Sequence, residues 1–343
     1  MNSLNNQQDS WNSEIDFSDL MDLRIDFAFK LLFTKGDPRL LISLLNAIFS
    51  NKRIPRVIKS LTIKNPYLEK ESSNDKLSIL DIRAELADMT AVLIEMHMYG
   101  LGDLKAKTIR SWARAFSEEL EAGDDYRQPP TITITFANGK IKPIEDINEE
   151  KDKIHRLCMI MDREDFTVFT DAMELHYIDM RAFAKAVNEA GSISINDTKD
   201  TMFNKWLSII TQKEITDKAI IRDVCKGEEE IQVAISNLAR YGEDKITRQA
   251  YQRRLDEIYF YNKNIADYKR QIEQAQHRAE QAEAEFQQEQ RRAEQEQRRA
   301  EQAEAEFQQE QRRAEQAEAE NKKLRQELAE LMMKRSNHPQ PQG

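Results

Sequence analysis

The 343-residue chain carries a formal net charge of −10, is 40% hydrophobic and 33% charged, and contains 9 glycines and 2 cysteines. A charged share well above the roughly 25% of an average soluble domain points to a segment that builds no core. The few glycines form neither a P-loop nor a dinucleotide-binding pattern, and Cys158 and Cys225 make neither a CxxC pair nor a disulfide framework. No apolar run approaches the roughly 18 residues of a membrane span, and the acidic, polar N-terminus lacks the features of a signal peptide. A cytoplasmic protein with no membrane partner is expected. The acidic balance argues against gripping nucleic acid by counterion release alone, so any such role needs a local basic patch or metal ions.

Residues 1–20, rich in Asn, Gln and Ser, read as a disordered leader. From Asp22 to Ser50 the apolar spacing is helical, with a first helix opening at Asp26 and a break at Gly36-Asp37-Pro38. Leu40, Leu41, Leu44, Leu45 and Ile48 then mark a second helix. The period changes to two over Val57–Ile63, Ser78–Leu86 and Val92–Tyr99, three strands, and Leu104–Glu121 follows as a charged amphipathic helix. Thr131–Phe136 is a further strand. Phe166–Phe169 and Met173–Ile178 are weaker strand candidates, and helices follow at Phe203–Ile210, Ile215–Cys225, Ile231–Tyr241 and from Ile246 onward. The order describes a mixed α/β domain over residues 21–185, a helical region over 186–257, a long helix over 258–335 and a disordered tail over 336–343.

The long helix contains an internal repeat: RAEQAEAEFQQEQRRAEQ begins at Arg278 and again at Arg299, three heptads later. Ile258, Ile265, Ile272, Phe286, Phe307 and Leu328 share one heptad position; the companion position includes Tyr261, Tyr268 and Leu324 but also Glu289, Glu296 and Glu310. With no Gly or Pro before Pro339, Ile258–Lys334 would be one helix about 110 Å long at 1.5 Å per residue. It reads either as a solvated helix held by Glu-to-Arg pairs or as a coiled coil that makes the protein a homo-oligomer.

Chemistry gathers on the second and third strands. If their connection turns about Asp88, Asp81 lies opposite Glu95, with Cβ atoms about 4.5–5.5 Å apart. The two-residue period puts His97 on the same face as Glu95. Facing carboxylates repel unless a cation lies between them, and Mg²⁺ is held by one or two carboxylates plus phosphate and water. The arrangement therefore suits metal-assisted phosphodiester cleavage. On spacing alone the same residues also describe the polar face of an antiparallel sheet.

The segments DLRIDFAFKLLF at 22–33, LLISLLNAIF, NPYLEKESSNDKLSILDIRAEL and VLIEMHM, then GDDY at 123–126, ITITF and MELHYIDM, resemble the transposase-like branch of the PD-(D/E)XK nuclease superfamily, the recombination-promoting nucleases. The resemblance covers roughly residues 22–240. It implies a nuclease-like αβββαβ core and a metal-dependent DNA endonuclease using Mg²⁺ or Mn²⁺, with DNA as partner. The family's aspartate matches Asp81 and its glutamate Glu95, both as metal ligands, and Asp26 is the candidate for an assisting acid on the first helix. Where the superfamily has lysine and this branch commonly glutamine, this chain has His97. Lys30, and Arg110 with Arg114 on one helix face, are candidates to touch DNA phosphates; surface charge is the alternative for each. The rival class is a non-catalytic interaction protein, a degenerate nuclease fold that oligomerises through its tail.

Overall fold

A computed structural model of the chain describes residues 17, 19–64, 82–98, 104–118, 129–140, 153–195, 198 and 200–336. The expected leader, apart from residues 17, 19 and 20, and the tail beyond Ser336 lie outside the described residues, as do Asp81 and the start of the Ser78–Leu86 strand. The chain divides into two compact units, Met1–Ile258 and Tyr259–Gly343.

In the first unit, helices α1 (Asp26–Lys35) and α2 (Pro38–Asn51) precede strands β1 (Leu61–Lys64), β2 (Ile82–Leu86) and β3 (Ala91–His97). Helix α3 (Leu104–Glu118) leads to β4 (Thr131–Ala137), so the αβββαβ order is present. β5 (His155–Met161), β6 (Val168–Asp179) and helices α4 (Met180–Ala190), α5 (Thr201–Ile210), α6 (Lys218–Val224) and α7 (Glu229–Glu243) follow. Helix α8 (Lys245–Ser336) begins thirteen residues before the heptad line does.

Pro38 opens α2 behind Asp37, whose carboxylate accepts the Arg39 N–H at 2.9 Å. Gly36 is required between α1 and α2, because a Cβ there would sit 2.5 Å from the Leu32 carbonyl oxygen. Among the described residues six strands form one sheet in the order β1-β2-β3-β4-β6-β5. β1, β2 and β3 are an antiparallel meander, β3–β4 and β4–β6 are parallel, and β5 closes the far edge antiparallel to β6. The β2–β3 turn sets the register. The Asp88 carboxylate accepts the Thr90 N–H at 3.1 Å, Met89 takes a left-handed φ of 66°, and Leu86 N–H meets the Thr90 carbonyl at 2.9 Å. Ile82 thereby pairs with Ile94 and Ala84 with Val92, the register expected for a turn centred on Asp88.

One face of the sheet, with Ile82, Ala84, Val92, Ile94, Ile132, Ile134 and Phe136, joins the core built with α1, α2 and the later helices. Phe29 meets Phe136 at 5.5 Å between ring centroids, and Trp206 of α5 meets Phe33 at the same distance. The Trp206 indole donates to the Ser43 hydroxyl at 3.1 Å, so the buried N–H is satisfied. Phe17, Leu20 and Met21 are buried in this core, so packing starts within the expected leader. On the other face α3 docks by Leu104, Thr108 and Ala115, and its Trp112 indole N–H reaches the Thr131 and Ala172 carbonyls at 3.1 and 3.3 Å.

Three expectations from the sequence change. The strand expected from Val57 begins only at Leu61, because the Asn46 side chain takes both backbone groups of Ile58, at 2.8 and 2.9 Å, where ladder partners would be. The two weak strand candidates are one strand, β6, and its antiparallel partner β5 was not anticipated. Helix α4 follows β6 without a loop, capped by Asp179 on the Ala182 N–H and closed by Gly191 at φ 64°. In the second unit almost every described side chain of α8 is exposed. Among the described residues no helix is long and apolar enough to cross a membrane.

Candidate active site

β3 is buried through Glu95, which is 2% exposed, and opens only in its last two residues, Met96 and His97, which are partly exposed. Successive odd positions point to the α3 side, so the two side chains stand together: His97 Nε2 lies 3.0 Å from Glu95 Oε2. Glu95 pairs across the ladder with Thr135 of β4, which pairs with Tyr177 of β6. The Thr135 and Thr108 hydroxyls are 3.3 Å apart, and Tyr177 hydrogen-bonds Thr108 as well. Burial pushes the Tyr177 hydroxyl above its ordinary range, against that hydrogen bond and reinforced by the negative charge of Glu95. A buried carboxylate is thus fixed by an imidazole at the end of a rigid strand and flanked by hydroxyls.

The other candidate residues are placed as follows. Asp81 lies outside the described residues. Asp26 is buried at the start of α1, where Arg254 of α8 grips its carboxylate with two hydrogen bonds of 3.0 Å; the Phe27 N–H donates at 2.8 Å. Lys30 is half-buried on α1, and Arg110 and Arg114 lie on the exposed side of α3. Glu95 and His97 are therefore in contact, whereas the Asp26 carboxylate is held by Arg254 of α8 and by the Phe27 N–H. Among the described residues no three His, Cys, Asp or Glu side chains converge as a metal cluster.

A model of PD-(D/E)XK nuclease family transposases matches residues 23–275, well over half of the chain. The chain belongs to this family. The match includes the β2–β3 hairpin with Glu95 and His97, α1 with Asp26, and Arg254. No curated protein and no solved structure matches the chain significantly.

A second Glu-x-His pair of this nuclease-family chain is legible as spacing in the sequence, although nothing local shows what its histidine meets. Glu174 and His176 on β6 repeat the Glu95–His97 pattern on the opposite face, inside the core. There the Asn51 amide meets His155 Nδ1 at 3.0 Å, His155 Nε2 meets His176 Nδ1 at 2.9 Å, and His176 Nε2 meets Glu174 Oε1 at 2.7 Å. Arg56 donates to the other Glu174 oxygen at 3.2 Å. Both imidazoles as neutral Nε2–H tautomers satisfy every link, with each N–H donating toward the carboxylate; the tautomers are assigned from this network. Burial holds His155 well below the ordinary histidine range, helped by His176 and Lys52. His176 is lowered by burial too, although Glu174 pulls the other way. Burial would raise Glu174, but His176 and Arg56 outweigh it and hold its carboxyl below the usual range. His155 is separated from His176 by 21 positions and from Asn51 by 104, so only the fold joins them.

Proposed function

We propose that the protein is a divalent-metal-dependent DNA endonuclease whose active site is built on the β2–β3 hairpin. The observation that carries this reading is the Glu95–His97 pair at the open end of β3, in a chain that belongs to a nuclease family. Continuing the Ile82–Ile94 register by one pair would set Asp81 against Glu95. Two carboxylates and an imidazole suit Mg²⁺ or Mn²⁺, since hard oxygen donors favour both and the ring nitrogen is acceptable to the second. Asp81 and Glu95 would hold the ion, which when bound supplies charge to polarise the scissile phosphate.

The chain's own groups do the rest. Burial and the His97 hydrogen bond fix Glu95 in one orientation, which limits reorganisation during the reaction. In its neutral form His97 donates Nε2–H to Glu95 and keeps Nδ1 as an acceptor on the more exposed side of the pair. Nδ1 would orient a water for attack on phosphorus; as the water oxygen bonds to phosphorus and one P–O ester bond breaks, the water's proton passes to surrounding solvent and the leaving oxygen takes one up. Arg110 and Arg114, exposed on α3, would contact backbone phosphates.

Plasmid cleavage with Mg²⁺ or Mn²⁺ tests this reading. Glu95→Gln and Asp81→Asn should each slow cutting by about 10²-fold or more, the range for loss of one charge-stabilising group. Cleavage at the parent rate by both variants would overturn the site. Histidine in the place of the superfamily lysine favours a second reading, a non-catalytic oligomerising protein, which a parent inert with either metal on both plasmid and single-stranded DNA would select.

A further inference from the structure

The second unit presents apolar side chains along a helix that no described residue covers: Phe286, Phe307, Leu324 and Leu328 are each more than half exposed. Two features beyond the apolar line bear on what covers it. With Ile258 and its seven-residue successors as column a and Tyr261 and its successors as column d, the flanking columns e and g carry charges. In a parallel two-stranded coiled coil each g residue meets the e residue of the partner five positions on. Arg278 then meets Glu283, and Arg299 meets Glu304. Further along, Arg313 meets Glu318 and Glu320 meets Arg325. Every such contact with charge on both sides joins opposite signs, and the last reverses polarity while staying complementary.

Glu283 and Glu304 have no basic residue three or four positions away on their own helix, so intrahelical pairing does not account for them. An antiparallel pairing would instead set column e against column e, whose charged residues from 276 to 318 are all acidic, Glu283, Glu304 and Glu318, among glutamines. The second feature is Asn321 in column a. A lone asparagine there is tolerated where it faces its own copy, and it fixes register and a two-stranded state at a cost in stability. Glu289, Glu296 and Glu310 in column d weaken the seam, but each is followed three residues later by an arginine in column g: Arg292, Arg299 and Arg313.

We propose that the partner of this helix is a second copy of the chain, docked parallel and in register and selected by these complementary e–g charges. The pairing does not depend on the endonuclease reading, since a catalytically inert chain would associate in the same way. It would tether two N-terminal units at one end of the seam.

Single cysteines in the full-length protein, with Cys158→Ser to remove the exposed native thiol, test the arrangement. Ala275→Cys and Ala317→Cys both lie in column d, 42 residues apart. Both should form self-cross-linked dimers on mild oxidation. An antiparallel pair can bring at most one of them opposite itself, so cross-linking of one variant alone, or of neither, overturns the proposal. Sedimentation supplies an independent measure. Arg299→Glu with Arg313→Glu places four like-charge contacts in each dimer and should raise the dissociation constant about tenfold. Mixing that variant with one carrying Glu304→Arg and Glu318→Arg should restore a mixed dimer in preference to either self-pair. A parent that sediments as a monomer at tens of micromolar, or charge variants that associate like the parent, would also overturn it.

Discussion

Arg254→Met removes both hydrogen bonds that the guanidinium donates to Asp26, 3.0 Å each, and strands a carboxylate whose side chain is 8% exposed. Breaking a buried pair from one side costs about 3–5 kcal/mol, because the remaining charge stays desolvated. Asp26 keeps the Phe27 N–H, so a loss near 3 kcal/mol, at the lower end of that range, is expected. Asp26→Asn strands no charge at position 26 and leaves Arg254 its 2.7 Å contact with Glu257, so about 1–2 kcal/mol is expected. Asp26→Asn with Arg254→Met should be more stable than Arg254→Met alone, by about 1–2 kcal/mol of coupling. Urea unfolding followed by the fluorescence of Trp206, fully buried against Phe33, measures all three, with an unchanged m-value showing that the same transition is compared. A cost below about 1 kcal/mol for Arg254→Met, or a double variant less stable than that single one, would refute the buried-pair reasoning. The same proteins separate structure from chemistry at Asp26: cleavage retained by the stable double variant assigns the carboxylate to anchoring the start of α8, and cleavage lost despite stability assigns it to the reaction.

His97→Gln should retain cleavage, since an amide can still hold water beside Glu95, whereas His97→Ala should cost about 10²-fold; an unaffected His97→Ala enzyme would remove the water-positioning role. The buried histidines set an acid limb to stability. Their folded pKa values lie below the ordinary value of about 6.5, so the unfolded chain binds protons first. Stability is full above that pH and falls as the pH drops below it, with a slope of up to about two protons. Glu174, depressed below its ordinary value, adds a further loss as the pH falls through its folded pKa. His155→Gln should shallow the slope between pH 6.5 and 5 by about one proton in thermal melts taken across that range, and equal slopes would contradict the neutral-histidine assignment. Glu289→Leu, Glu296→Leu and Glu310→Leu together should tighten self-association by at least about tenfold in sedimentation by replacing acidic layers with apolar ones; unchanged association would place those residues outside the seam.

The hairpin that carries Glu95 was legible because two local signals agree. Alternation assigns the faces, and Asp88 with Thr90 fixes the turn about which the strands pair. The tail helix was legible for the same reason, since a seven-residue period without Gly or Pro is a property of neighbouring residues. β5 was not legible: HRLCMIM does not alternate cleanly, and its place at the edge is set by β6, whose register it follows with shifts at Met159–Met161. α4 carried its signals, Asp179 before it and Gly191 after it, but they were masked because the helix starts directly at the end of a twelve-residue strand.

Sequence alone therefore determined the elements with strong periods, the pairing of β2 with β3, and the presence of Glu95 and His97 on one side of a strand. Only the tertiary structure decided that Glu95 is buried, because that depends on α3 docking over the same face through Thr108 and Trp112. Only the tertiary structure gave Asp26 its arginine, 228 positions away, and turned two isolated histidines into a hydrogen-bonded chain ending at Glu174. The physical difference is one of range. Side-chain direction within an element follows from backbone geometry over a few residues, whereas the partner and the dielectric that a charge meets are set by whichever distant segments the core brings against it.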